Sequence, residues 1–232
     1  MKRFQSSPGR VSLRGLTLQA VVAASLAIAA PAMVHAQAKP AAKPAAATMQ
    51  GSPSEVVLAN STRIVGTLEK RRSEFKTDRA ALDTFIATEF NRMFDRNYAA
   101  RLVLGRHGRG ASDADVKLFA DALADSLMSR YGSALINFDT GLKVRVKSET
   151  PLRGGAIVKV SSEFLRAGGQ STPVDYLMRK TGANWQVFDV MVEGVSFVQT
   201  FRSQFDGPLQ SMGIKLVAAD LRAGKMTAQA SQ

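Results

Sequence analysis

NWQVFDVMVEGVSFVQTFRSQF, residues 184–205, changes its backbone period partway along. Trp185, Val187, Asp189 and Met191 fall on one face of an alternating strand, with Gln186, Phe188, Val190 and Val192 on the other. Beyond Gly194, the expected hinge, Val198, Phe201, Phe205 and Leu209 recur at the spacing that stacks side chains on one helix face. A strand that turns into a helix at so short a corner encloses apolar space. Either side chains or a ligand must fill it.

Three more strands precede this one. Leu142, Val144 and Val146 alternate with Lys143, Arg145 and Lys147, a half-buried strand with a basic outer face. After a turn at Pro151 to Gly155, Ala156, Val158, Val160, Ser162 and Phe164 oppose Ile157, Lys159, Ser161 and Glu163. Ala167-Gly168-Gly169 turns the chain into Thr172 to Lys180, where Val174, Tyr176 and Met178 share a side. Four strands at hairpin spacing predict an antiparallel meander whose apolar face helices must cover, an α+β fold.

The helices come mostly before the sheet. Ser52-Pro53-Ser54-Glu55 is a capping box with Pro at the first helical position, opening a helix of about 17 residues that carries Val57, Ile64 and Leu68. A second, Asp78 to Phe94, carries Leu82, Phe85, Ile86, Phe90, Met93 and Phe94. A short helix over Arg96 to Leu104 stops at Gly105. Ser112 and Asp115 cap a long one marked by Val116, Phe119, Leu123, Leu127, Tyr131 and Leu135. Gly207-Pro208 is expected to interrupt the helix after Phe205, and Met212 to Gly224 to form the last one.

The 232 residues are 45% hydrophobic and 22% charged, enough apolar material for one domain with a substantial core. Residues 1–36 read as a signal peptide. Lys2, Arg3, Arg10 and Arg14 precede an apolar run from Leu16 to Ala30, short for a membrane span, and Val34-His35-Ala36 offers a cleavage site. Removing those four basic residues lowers the formal charge from +12 to +8. Residues 37–54, rich in Ala, Pro and Lys, are expected as a disordered tether. The folded domain is then 55–226, with a flexible tail over 227–232. An exported chain without cysteine fits a bacterial periplasm.

Composition also limits the chemistry. His35 leaves with the signal and His107 sits alone in the turn Gly105-Arg106-His107-Gly108-Arg109-Gly110, so neither a Cys/His dyad nor a zinc site can be assembled. That glycine run has the wrong spacing for a dinucleotide fingerprint and follows no strand. No metal and no cofactor are expected. No basic block with interleaved aromatics suggests nucleic acid. Asp175, Asp189 and Glu193 lie in or beside strands, and a carboxylate in an apolar pocket can serve as a general base. Asp189 or Asp175 is the candidate for that role; a structural role, with an Arg partner or backbone bonds, is the alternative. Nine methionines and twelve phenylalanines supply adaptable lining for an apolar ligand, although such residues also make ordinary cores.

The run Trp185-Gln186-Val187-Phe188-Asp189-Val190, then Val192-Glu193-Gly194-Val195-Ser196 and Phe201-Arg202-Ser203-Gln204-Phe205, resembles the signature of the MlaC family. Those are periplasmic phospholipid-binding proteins of a lipid-transport system, also called the toluene-tolerance family. Leu104-Gly105-Arg106, Tyr131-Gly132, Val174-Asp175-Tyr176 and Met178-Arg179-Lys180 agree with the same pattern; Gly108 departs from it, an aromatic residue being commoner there. The resemblance implies an NTF2-like α+β domain with a deep apolar pocket for phospholipid acyl chains and no enzymatic activity. It also implies two partners: an inner-membrane ABC transporter complex with an MCE-domain subunit, and an outer-membrane lipoprotein–porin complex. A related hopanoid-associated group leaves the lipid class open, and a monomer is expected.

The lining expected on the helices is Phe90, Met93, Leu123, Leu127, Tyr131, Val198, Phe201 and Phe205. On the strands it is Val144, Val160, Phe164, Tyr176, Met178, Val187 and Val195. Asp189 and Arg202 are expected as structural anchors, and Lys143, Arg145 and Lys147 as a candidate docking stripe.

Overall fold

The computed structural model describes residues 51–131, 141–169 and 171–229. The expected signal peptide, most of the tether, Leu135 and residues 230–232 lie outside the described residues.

Helix α1 (Pro53–Lys70) starts where its caps dictate. The Ser52 hydroxyl accepts from the Glu55 N–H at 3.2 Å, and the Glu55 carboxylate accepts from the Ser52 N–H at 2.8 Å. A short α2 (Arg72–Thr77), absent from the sequence reading, follows, then α3 (Arg79–Met93), capped by Asp78. Asp95 caps α4 (Arg96–Leu104), and Ser112 accepts from the Asp115 N–H at 3.1 Å to start α5 (Asp113–Tyr131).

The sheet is an antiparallel meander of five strands in chain order: β1 (Lys143–Leu152), β2 (Ile157–Leu165), β3 (Ser171–Thr181), β4 (Asn184–Val192) and β5 (Val195–Ser196). The fifth strand corrects the expected four. Glu193 and Gly194, both at positive φ (51° and 84°), form a two-residue hairpin that folds Val195 and Ser196 back onto β4. Gly194 therefore turns strand into strand, and Ser196, one hairpin later, caps the helix.

A bulge changes the face of β4. Met178 pairs with Val187 and Leu177 with Asp189, which leaves Phe188 as the extra residue. The sequence alternation puts Val187 and Asp189 together; the slip separates them. Trp185, Val187, Val190 and Val192 now share a face, with Asp189 and Met191 on the other. A second bulge, at Lys147, shifts β1 against β2 in the same way.

Helix α6 (Phe197–Arg222) runs through Gly207 and Pro208, correcting the expected break. Pro removes one backbone hydrogen bond, while Phe205 and Leu209 on either side are buried and hold the helix in place. The break falls at Gly213, at φ 76° and ψ 172°, a region only glycine enters readily.

Apolar residues gather in separate cores. Val56 and Val57 of α1 pack against Val158, Val160, Tyr176, Met178 and Val187 of the sheet. Leu68, Phe75 and Leu82 join α1, α2 and α3. The largest cluster belongs to α4, α5 and α6, where Phe119 meets Phe205 edge to face with ring centroids 5.7 Å apart. Residues 227–229, expected within a flexible tail, are held here. Ala228 is 0% exposed and its N–H donates to the Ser126 hydroxyl. The Gln204 amide donates to the Thr227 carbonyl and accepts from the Gln229 N–H. Among the described residues, no helix is long and apolar enough to cross a membrane.

Candidate functional site

A cavity of about 340 Å³ lies where the α4–α6 core meets α3 and the bulged end of β4. Small-molecule sites span roughly 300–1,000 Å³. Ile86 and Phe90 of α3 and Phe94 beyond it form one wall. Phe90 and Phe94 stack with centroids 4.3 Å apart. Leu123, Leu127, Met128 and Tyr131 of α5 form another wall, and Phe197, Val198 and Phe201 of α6 a third. Phe188 and Val190 enter from β4, re-aimed by the bulge.

Empty volume has a cause in the sequence. Where α4 and α5 approach, the wall carries Ala99, Ala100, Ala120 and Ala124, each too short to reach across. Native interiors are close-packed, so four alanines facing one space leave room that nothing else fills.

Six of the residues expected as lining meet here: Phe90, Leu123, Leu127, Tyr131, Val198 and Phe201. The others lie elsewhere. Met93, Val160, Tyr176, Met178 and Val187 belong to the core between α1 and the sheet, with Phe164 packed on its edge. Phe205 points into the α4–α6 core, Val144 is half-buried on β1, and Val195 is 44% exposed on the hairpin. The reason is geometric: α1 takes the apolar face of the meander, so most of the sheet packs against a helix instead of lining the cavity. The alanines of α4 and α5 lack the bulk by which sequence marks a lining residue. Ala99, Ala100 and Val103 at helical spacing opposite Ala120 and Ala124 were the available signal.

Two acidic candidates separate. Asp189 lines the cavity, is 6% exposed, and has its oxygens engaged. The Ser196 hydroxyl donates to one at 2.6 Å and the Val198 N–H to the other at 3.0 Å. Burial pushes its carboxyl above the usual range, opposed by Ser196 and by backbone N–H groups that include Val198. Ser196 accepts in turn from the Gln199 N–H at 3.1 Å, so Asp189 ties β4 to the start of α6. Asp175 lies outside the cavity wall, 3.8 Å from Lys159. Two carboxylates therefore do not converge.

The remaining polar features are structural contacts. Arg145 bonds to buried Glu163, and Lys147 lies 3.8 Å from it, so the candidate docking stripe is partly neutralised. His107 and Arg106 both hold Asp206 of α6, at 2.9 and 3.0 Å; the His107 bond first, then the nearby arginines, keep that carboxyl below the usual range. Gly105 sits at φ 53° against Arg202, whose Nε would lie 2.9 Å from a Cβ there. Among the described residues, no group of three or more His, Cys, Asp or Glu is placed to hold a metal.

Helices and an antiparallel sheet, with a ligand-sized apolar cavity between the helices and the bulged end of β4, define a small α+β domain of the pocket-bearing kind. The MlaC protein family model matches residues 59–223, and the chain belongs to that family. It is similar to the toluene tolerance protein ttg2D of Pseudomonas putida, 25% identical over 165 residues, 70% of this chain and 75% of that one. It is also similar to the intermembrane phospholipid transport system binding protein MlaC of Haemophilus influenzae, 23% identical over 80% of this chain and 86% of that one. The phospholipid-binding protein from Ralstonia solanacearum, solved in complex with a phospholipid, shares the fold, with a TM-score of 0.66 at 17% identity over 75% of this chain and 98% of that one.

Proposed function

We propose that this protein is a periplasmic phospholipid carrier whose cavity holds acyl chains in transit. The observation that carries the reading is the wall itself: α3, α4, α5 and α6 surround the space with Phe, Leu, Met and Ala, and the one carboxylate among the described lining residues is tied into the fold. Its relatives, an intermembrane phospholipid transport system binding protein among them, support the same reading. A buried methylene gains about 0.8 kcal/mol on leaving water, so two chains of about 16 carbons carry on the order of 25 kcal/mol that a carrier must match. An open groove would leave much of that surface wet; a cavity between helices need not.

In this account residues 1–36 direct export, 37–54 tether, and the domain from 55 onward works as a monomer without nucleic acid, metal or cofactor. It passes lipid between an inner-membrane transporter complex containing an MCE-domain subunit and an outer-membrane lipoprotein–porin complex. Donor vesicles with a labelled phospholipid, mixed with unlabelled acceptors, test the carrier step. Transfer should rise with protein concentration. Transfer at the protein-free rate would overturn the proposal.

A second reading, hydrolytic or isomerising chemistry with Asp189 as base, draws on its place in the cavity and its raised pKa. The bonds to Ser196 and Val198 favour the structural role, because an oxygen already accepting a short bond is poorly free to take a substrate proton.

A further inference from the structure

Among the described cavity residues, Arg96 is the one basic side chain. It stands in the first turn of α4, lines the cavity, and is 24% exposed. Its Nη2 donates to Asp121 of α5 at 2.5 Å, and its Nη1 to Asn91 at the end of α3. The guanidinium therefore links α4 to α3 and α5, three helices that each contribute side chains to the cavity wall.

Two details mark it as more than an ion pair. Its Nε is buried without a hydrogen-bond partner, leaving a donor of the planar fork unused. Arg63 and Arg92 also have an unpaired Nε, but both are committed to buried Glu89 and neither lines the cavity. In addition, Asp121 is held by Lys117 at 2.6 Å as well as by Arg96. If Arg96 turned to another anion, Asp121 would keep a cation. The exchange would cost little, because no charge is left unpaired.

We propose that Arg96 is the head-group anchor of the cavity: its guanidinium takes the phosphodiester of a lipid whose chains lie among the apolar walls, while Lys117 retains Asp121. The inference rests on the carrier reading and sharpens it to a chemical class. A guanidinium fork matches the oxygens of a phosphodiester, and beside an apolar cavity it selects an anionic-headed amphiphile over a neutral one with the same chains. Diacylglycerols and unphosphorylated polycyclic lipids would then be poor ligands. A fatty acid presents a carboxylate to the same fork but only one chain to the cavity.

Delipidated protein offered equimolar dioleoyl phosphatidylglycerol, dioleoylglycerol and oleate, with bound lipid read by native mass spectrometry, provides the test. Wild type should prefer the phospholipid to dioleoylglycerol by on the order of tenfold or more. Arg96→Gln should abolish that preference while still taking up both two-chain lipids, and Arg96→Lys should retain part of it. Asp121→Asn, which releases Arg96, should preserve or increase it, and this variant carries the test if Arg96→Gln folds poorly. Equal uptake of both two-chain lipids by wild type, an unchanged preference in Arg96→Gln, or a fall in Asp121→Asn would overturn the proposal. Oleate outcompeting the phospholipid would overturn the phosphodiester assignment. Failure of wild type to take up any lipid would instead overturn the carrier reading.

Discussion

Asp189 shows how one buried side chain beside the cavity serves the fold. Its carboxylate completes the start of α6 through Ser196 and Val198, yet burial raises its pKa. The folded state therefore holds a proton more readily than the unfolded chain, and this group's contribution to stability falls as pH rises through the raised pKa. Asn keeps one acceptor and never ionises. Melting curves should show Asp189→Asn gaining on wild type as pH rises above the ordinary Asp value of about 4, with lipid content unchanged. A loss of lipid in this variant would contradict a purely structural Asp189. Asp189→Ala strands the Ser196 hydroxyl and the Val198 N–H, and denaturant titration should find it less stable by about 1–3 kcal/mol. Ala124 carries the complementary test. In a filled core, Ala124→Phe would overpack at a cost of about 1–3 kcal/mol. At a cavity wall the ring enters empty space, so the melting temperature should hold or rise while bound lipid falls.

Among the elements, the helix starts were the most legible: Ser52 with Glu55, and Ser112, each cap a helix as expected, and the helix whose apolar period begins near Asp78 starts there, capped by Asp78 itself. The bulges were not legible. Val187-Phe188-Asp189-Val190 alternates acceptably in either register, and only pairing with Met178 and Leu177 shows that Phe188 is the extra residue. That slip sends Asp189 toward α6 and brings Phe188 to the cavity. The end of α6 was misjudged for a related reason: Gly207-Pro208 is a local breaker, but burial of Phe205 and Leu209 overrides it. Two substitutions locate the true break. Neither site has an atom within 4 Å of an added Cβ, so the difference between them is backbone conformation alone. Gly213→Ala, at positive φ, should cost about 1–3 kcal/mol, while Gly207→Ala, inside continuous helix, should be neutral or stabilising by up to about 1 kcal/mol. Equal losses at both would contradict this placement.

At the scale of the whole molecule, the α+β class, the meander and the helical cover could be read from periodicity. The existence of an apolar space could be suspected from the corner at Asn184 to Phe205, but its position could not. A residue's bulk says that it is buried, not against what. Tyr176 and Met178 are as apolar as Phe90 and Leu127, yet the first pair packs on α1 and the second faces the cavity. What separates them is the assignment of α1 to the sheet and the facing alanines of α4 and α5, which depend on how the elements assemble. The division of the apolar residues into separate cores, with the cavity beside one of them, is the organisation that the carrier account requires. Its most direct test is the lipid content of the protein purified without detergent from the periplasm of a producing cell. Solvent extraction and mass spectrometry should release glycerophospholipid in near-equimolar amount; a lipid-free extract from folded, monodisperse protein that also takes up none from vesicles would contradict the account.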